Sequence, residues 1–179
     1  MAIHFLIGFL TAVGIILLVG LAALLIRYYS PRLFRPHTRL FKKVLVASVG
    51  SPFSRIALEM ATRLAGDDGI LETLYIVEVP MEQPLDGGFE SELSRGMVAL
   101  EQAGKMAKRK GRSPVPRMER SRLGSKTIVE IQKNENFDVV VLSAKPDPRK
   151  QKESSKILEY VRENAGCTVI DVLEKKKQE

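Results

Sequence analysis

In this chain of 179 residues a single cysteine rules out an internal disulfide, and the two histidines, at positions 4 and 37, stand far from any carboxylate cluster and offer no metal-ligand set. A surplus of 28 basic over 21 acidic residues, net +7, is concentrated at one place: six of the bases lie between Arg27 and Lys43, where no acid occurs. Without them 22 bases face 21 acids, a net of +1 for residues 44–179, so no nucleic-acid partner is expected.

The first element is an uncharged apolar run from Phe5 to Ile26. Its 22 residues reach roughly 33 Å as a helix rising about 1.5 Å per residue, enough to cross a hydrocarbon core of about 30 Å. A cleaved secretory signal would need a basic start, a shorter apolar run and small residues at its end. Here Met1-Ala2-Ile3-His4 carries no Lys or Arg, and Arg27-Tyr28-Tyr29 closes the run. A transmembrane anchor is expected over 1–29, then a basic juxtamembrane linker over 30–41. Lys and Arg beside a span stay in the cytoplasm, which places the N-terminus outside and the rest of the chain inside. The lipid bilayer is thus the first expected partner.

Residues 42–173 are expected to form one domain and 174–179 a polar tail. Lys43 to Val49 is a continuous apolar run, as in a strand buried on both faces, and Gly50-Ser51-Pro52 ends it. Ser54 to Ala65 places Ile56, Met60, Ala61 and Leu64 at helical spacing, with Gly66 as the stop. Ile70 to Val79 reads as a second strand, and an acidic loop with Glu82 and Asp86 leads into a helix over 92–110, patterned by Leu93, Met97, Leu100 and Met106. Val115 to Arg122, polar and flanked by Pro114 and Pro116, suits an edge strand. It overlaps a second basic cluster, Lys105 to Arg122, read as a solvated helix end and loop. Ser125 to Asn134 is a helix with Ile128 and Ile131 inward, Phe137 to Leu142 the clearest buried strand, Ser154 to Glu163 a last helix, and Cys167 to Leu173 a last strand. Cys167 fits there as a small buried hydrophobe.

Strands alternating with helices predict an α/β fold, a five-stranded parallel doubly wound sheet of the flavodoxin-like kind. Ligands of such sheets bind beyond the carboxyl ends of the strands where the strand order reverses, so the loops after Val49 and Leu142 are the places for a site.

Those loops carry a resemblance. The stretch KKVLVASVGSPFSRIALEMATRLA is similar to the opening strand, turn and first helix of the universal stress protein family. ILETLYIVEVP resembles its second strand, GSKTIVEIQKNENFDVVVLS its third helix and fourth strand, and ILEYVRENAGCTVIDV its closing helix and strand. The resemblance implies a pocket around Gly50, Ser51, Val77, Ser143 and Ser155, for ATP or AMP in nucleotide-binding members. It also implies losses. The acidic residue those members carry before Gly-Ser is Val49 here, and their glycine-rich phosphate loop is replaced by Ser143-Ala144-Lys145-Pro146-Asp147-Pro148-Arg149-Lys150-Gln151-Lys152-Glu153-Ser154-Ser155, with no glycine. Pro146 and Pro148 have no amide hydrogen to give a phosphate. Ser154 and Ser155 are expected to cap the last helix.

Gly124-Ser125-Lys126-Thr127 looks like a piece of a P-loop, but Ser125 and Arg120 occupy the two required glycine positions, and Ser125 is expected to cap the third helix. No nucleophile elbow or histidine base lies in the domain, so no catalytic residues, no metal and no enzyme are expected. The combined expectation is a membrane-anchored universal-stress-protein-like accessory or regulatory subunit of an integral membrane transporter or channel, with no cofactor. The alternative is a membrane-tethered adenine-nucleotide sensor with a modified phosphate loop. Homodimerisation through the strand Thr168 to Leu173, as the resemblance implies, fits either; Val169 and Val172 are the residues such pairing would bury.

Overall fold

The computed structural model describes residues 14, 18–21, 41–66, 68–85, 87–144 and 151–173. The chain divides into two units, Met1–His37 and Thr38–Glu179. In the first, Gly14 and residues 18–21 are helical, with Leu18, Val19 and Leu21 exposed. The rest of the expected span over 5–26 lies outside the described residues, as do linker residues 30–40 and tail residues 174–179. Among the described residues no helix is long and apolar enough to cross a membrane.

The second unit runs β1 (Lys43–Val49), α1 (Arg55–Leu64), β2 (Ile70–Glu78), α2 (Glu90–Lys108), β3 (Val115–Ser121), α3 (Gly124–Glu135), β4 (Val139–Ala144), α4 (Gln151–Asn164) and β5 (Thr168–Leu173). The strands form one parallel sheet in the order β3-β2-β1-β4-β5, so the winding reverses between β1 and β4. Alternation along β1 feeds two cores. Val44 and Val46 pack with Phe53, Leu58 and Ala103 under α1 and α2. Leu45 and Ala47 pack with Leu74, Ile128 and Val161 under α3 and α4. Both faces being covered explains why β1 and β4 read as unbroken apolar runs. Val115–Ser121 takes the expected edge position, where Pro116 has no amide to donate.

Where expectation and structure part, packing distance or capping gives the reason. Ile56 and Met97, expected inward, are exposed. In α2 the buried stripe is Gly96, Ala99, Ala103 and Ala107, because that helix lies too close to the sheet for larger groups. A Cβ on Gly96 would sit 2.8 Å from the Tyr75 ring and 2.9 Å from Met118 Cε. Ser125 does not cap α3, since Gly124 already opens that helix and Leu123 holds the cap position. Ser154 and Ser155 lie inside α4, which begins at Gln151. The fourth strand starts two residues late because α3 ends on Asn136 in the left-handed region (φ 54°), after which the Phe137 amide returns to the Gln132 carbonyl.

The domain's entry is clamped. The Asp138 carboxylate accepts the amides of both Lys42 and Lys43 at 2.8 Å, and Lys43 Nζ donates to the Glu135 carbonyl at 2.8 Å. The Lys43 carbonyl in turn accepts the Asp138 amide at 3.0 Å, so the chain meets the sheet at a fixed point of its central strand.

Candidate functional site

At the carboxyl ends of β1 and β2 lies a pocket of about 190 Å³. Tyr75, Val77 and Val49 give it an apolar floor, Glu78, Glu92 and Arg95 a charged rim, and Gly50, Ser154 and Ile157 complete its walls. That volume is below the roughly 300–1,000 Å³ of sites that enclose drug-sized ligands.

Each member is placed by its element. Period-two alternation in β2 points Tyr75 and Val77 to one face, and Tyr75 is buried with its ring centroid 6.3 Å from that of Phe53. Burial pushes the Tyr75 phenol up. Gly50 turns the chain out of β1 at φ 58°, a conformation that L side chains resist, and its amide donates to the Ile76 carbonyl at 2.9 Å. Glu92 and Arg95, one turn apart near the start of α2, approach to 4.0 Å. The Ser91 hydroxyl, 2.6 Å from Glu92, holds that carboxyl below the usual range.

Val49 stands where the resemblance leads one to expect an acidic residue. Val49 packs against the opening of α3 so closely that a Cβ on Gly124 would come within 2.9 Å of its methyls. A carboxylate is nevertheless present nearby, supplied by β2: Glu78 Oε1 accepts the Gly124 amide at 3.0 Å. A negative charge on a helix N-terminus is favourable. The first amide of α3 is therefore already taken by an internal anion, and a phosphate approaching the rim meets Glu78 and Glu92.

Of the five residues implicated from sequence, Gly50 and Val77 line this pocket. Ser51 is drawn back by Ser48, whose Oγ donates to the Ser51 carbonyl at 2.6 Å and lies 3.0 Å from the Ser51 hydroxyl. Ser143 is buried behind the pocket, its Oγ accepting the Ser54 amide at 2.5 Å, which ties β4 to the cap of α1. Ser155 is exposed on α4, and Ser154 takes its place in the wall. The residues missed are Tyr75, Glu78, Glu92, Arg95 and Ile157. Tyr75 was findable as the residue two before Val77, whereas Glu92, Arg95 and Ile157 needed α2 and α4 to be placed in space. Residues 145–150, where the resemblance would put the phosphate loop, lie outside the described residues.

A second polar cluster is structural. Arg117 Nε bonds Glu119 at 2.8 Å, its Nη1 bonds Glu135, and Glu72 on the neighbouring strand lies 3.6 Å away. Burial pushes the Glu72 carboxyl up, Glu135 adds to this, and Arg117 opposes it. Arg122 reaches the carbonyls of Pro80, Met81 and Gln83, and Arg120 that of Leu85. The basic cluster expected to be solvated thus divides: Arg117, Arg120 and Arg122 fasten the strand edge and the 80–85 loop, and Lys105, Lys108, Arg109 and Lys110 are exposed. Burial raises the Cys167 thiol, which disfavours the thiolate a nucleophile would need. Among the described residues no group of His, Cys, Asp and Glu is arranged to hold a metal.

No curated relative matches the chain. Solved structures resemble its second unit. Universal stress protein UspA from Lactobacillus plantarum matches at 20% identity and TM-score 0.61, over 73% of this chain and 97% of that one. The universal stress protein from Archaeoglobus fulgidus in complex with dAMP matches at 15% identity and TM-score 0.54, over 74% and 98%. A universal stress protein family protein from Arabidopsis thaliana with AMP bound matches at 15% and TM-score 0.54, over 75% and 93%. At these identities the likeness establishes the fold. The model of the universal stress protein family matches residues 40–172, most of the chain and every element of the sheet. With that match and the 3-2-1-4-5 parallel sheet agreeing, the chain belongs to the universal stress protein family.

Proposed function

We propose that this protein is a membrane-anchored accessory or regulatory subunit of an integral membrane complex, a transporter or channel, and that it acts without binding ATP. The observation that carries the reading is the pocket at the carboxyl ends of β1 and β2. Val49 fills the place of the family's acidic residue, Glu78 occupies the α3 N-terminus, and Glu92 adds a second carboxylate to the rim. The sequence supports it twice over, through the glycine-free segment after β4 and the apolar run over 5–26 with its basic flank. A family domain that has given up a phosphate cradle keeps a rigid fold suited to contact with another protein.

The N-terminus is then outside and the domain cytoplasmic. Purification of the full chain in mild detergent should yield a co-purifying polytopic membrane protein; recovery of the free chain alone would sink the subunit reading. A homodimer through β5, the second edge of the sheet, is compatible with it. Val172, however, is buried in the protomer's own core and Val169 packs against the α3–α4 side, so pairing would use backbone groups rather than those side chains.

The second reading, a tethered adenine-nucleotide sensor, is favoured by neighbours of the same fold solved with dAMP and AMP. Calorimetry of the 38–179 fragment with ATP, AMP and cyclic AMP separates the two. Saturable micromolar binding would replace the first reading with this one.

A further inference from the structure

Positive charge is dense at one end of the sheet. Register sets Lys43 opposite Ile70 and Glu72 opposite Val115. The turn 109–114 that leads into Val115 therefore lies at the strand-start end, where Lys42 enters. Helices α1 and α2 run back to the same end and bring Arg63, Lys105 and Lys108 in their last turns, followed by Arg109 and Lys110, all exposed. No acidic residue occurs between 102 and 118. Among the described residues the acids facing this corner are Glu101, 2.6 Å from Lys105, Glu59, 3.6 Å from Lys110 and also 3.4 Å from Arg55, and Asp68 in the turn before β2. Among the described residues Arg63, Lys108 and Arg109 make no ion pair.

The α2 dipole favours cations in the last turn, which accounts for Lys105 and Lys108. Its reach ends there and gives no reason for Arg109 and Lys110 to follow. Nor is outward charge the rule for this part of the chain, since Arg117, Arg120 and Arg122 are all engaged with carboxylates or carbonyls. Between α1 and α2 the corner opens into a groove of about 330 Å³, with Leu58 and Met106 at its floor and Arg55, Arg109 and Lys110 beside the single carboxylate of Glu59.

We propose that this corner, Arg63 with Lys105 to Lys110, docks the domain on anionic phospholipid headgroups. The proposal rests on the membrane location proposed above, yet it concerns a surface of the domain that exists without the anchor. Polybasic surfaces gain about 1 kcal/mol per Lys or Arg at an anionic leaflet, roughly fivefold in partitioning for each charge. The attraction is Coulombic and fades as salt shortens the screening length.

The test uses the 38–179 fragment, a compact unit by itself that contains the whole family match over 40–172. It should co-sediment with vesicles of phosphatidylcholine and phosphatidylglycerol, not with phosphatidylcholine alone, and should detach in high salt. The variant K108Q/R109Q/K110Q should lose on the order of a hundredfold in partitioning while keeping the wild-type thermal melt. The control K126Q/K133Q/K156Q, with the same change in net charge on α3 and α4, should bind as the wild type does. Equal binding to neutral vesicles, an equal loss in the control, or binding to duplex RNA that outcompetes the vesicles would each overturn the proposal. Alkaline extraction of the full chain reads the anchor separately: a chain that stays in the membrane while its fragment ignores anionic vesicles keeps the anchor and refutes the corner.

Discussion

Arg117 and Glu72 show how a single ion pair ties stability to pH. Glu72 is buried in β2, and its carboxyl titrates above its ordinary 4.5, so the charged form is disfavoured in the fold despite Arg117. A carboxyl raised by folding contributes stability that is fully present below the unfolded value and is lost as pH climbs through the folded one. The variant Glu72→Gln, which keeps shape and removes the charge, should therefore match the wild type at pH 4 and melt a few degrees higher at pH 7.5. Arg117→Met should do the opposite. It strands the Glu72 charge and leaves Glu119 and Glu135 without their shared partner; a fully buried pair broken this way costs about 3–5 kcal/mol, and with Arg117 partly exposed about 2 kcal/mol is expected at pH 7.5, less at pH 5, and a smaller loss in the Glu72→Gln background, where only the Glu119 and Glu135 contacts are removed. Urea and thermal denaturation at pH 4, 5 and 7.5 check all three. Glu78 is a separate case, exposed and at a helix start. Glu78→Ala should cost about 1 kcal/mol through the lost cap on Gly124.

At the scale of elements, α2 offers a paired test. Gly96 and Gly104 both lie inside this helix, where alanine is better than glycine by about 0.8–1.0 kcal/mol. At Gly104 nothing lies within 4 Å of an added Cβ, so Gly104→Ala should be stabilised by about that amount. At Gly96 the Tyr75 ring and Met118 are under 3.0 Å away. Overpacking there costs roughly 1–3 kcal/mol, enough to outweigh the propensity gain and make Gly96→Ala destabilising. Thermal melts with opposite signs would confirm the close approach of α2 to the sheet. The 80–85 loop gives another element-level expectation: Arg122→Ala removes its bonds to the carbonyls of Pro80, Met81 and Gln83, and should speed amide hydrogen exchange there while leaving β1 protected. Within residues 42–173 element existence was legible from hydrophobic period and Gly/Pro punctuation, except for β3, whose polar run was placed by the alternation around it. What failed was the inward face of α2, where the eye follows Met97 while the contact is made by glycine and alanine. The helix starts failed too, because a distant carboxylate on β2, rather than the local Ser125, satisfies α3.

For the whole molecule, the expected division is physical: fragment 38–179 should unfold reversibly in one step in plain buffer, while the full chain should need detergent or lipid to stay dispersed. Analytical ultracentrifugation of both forms, with and without detergent, reads this directly. The site was half legible. Gly50 follows from the end of β1, beside a loop that the βαβ pattern marks for a site, whereas Val77 came with the resemblance. Ser143 and Ser155 were carried by the resemblance, and the fold uses the first as a buried tie to Ser54 and leaves the second on the outside of α4. Ile157 and Arg95 come from helices that meet over the sheet, which no spacing within one segment reveals. A last consequence follows from the Asp138 clamp on Lys42 and Lys43. β1 is the middle strand, hydrogen-bonded to β2 on one side and β4 on the other. Tension applied to the chain ahead of Lys42 loads that strand lengthwise, so both ladders must shear together instead of unzipping one bond at a time. The domain is therefore built to resist a pull applied at the point where the chain enters it.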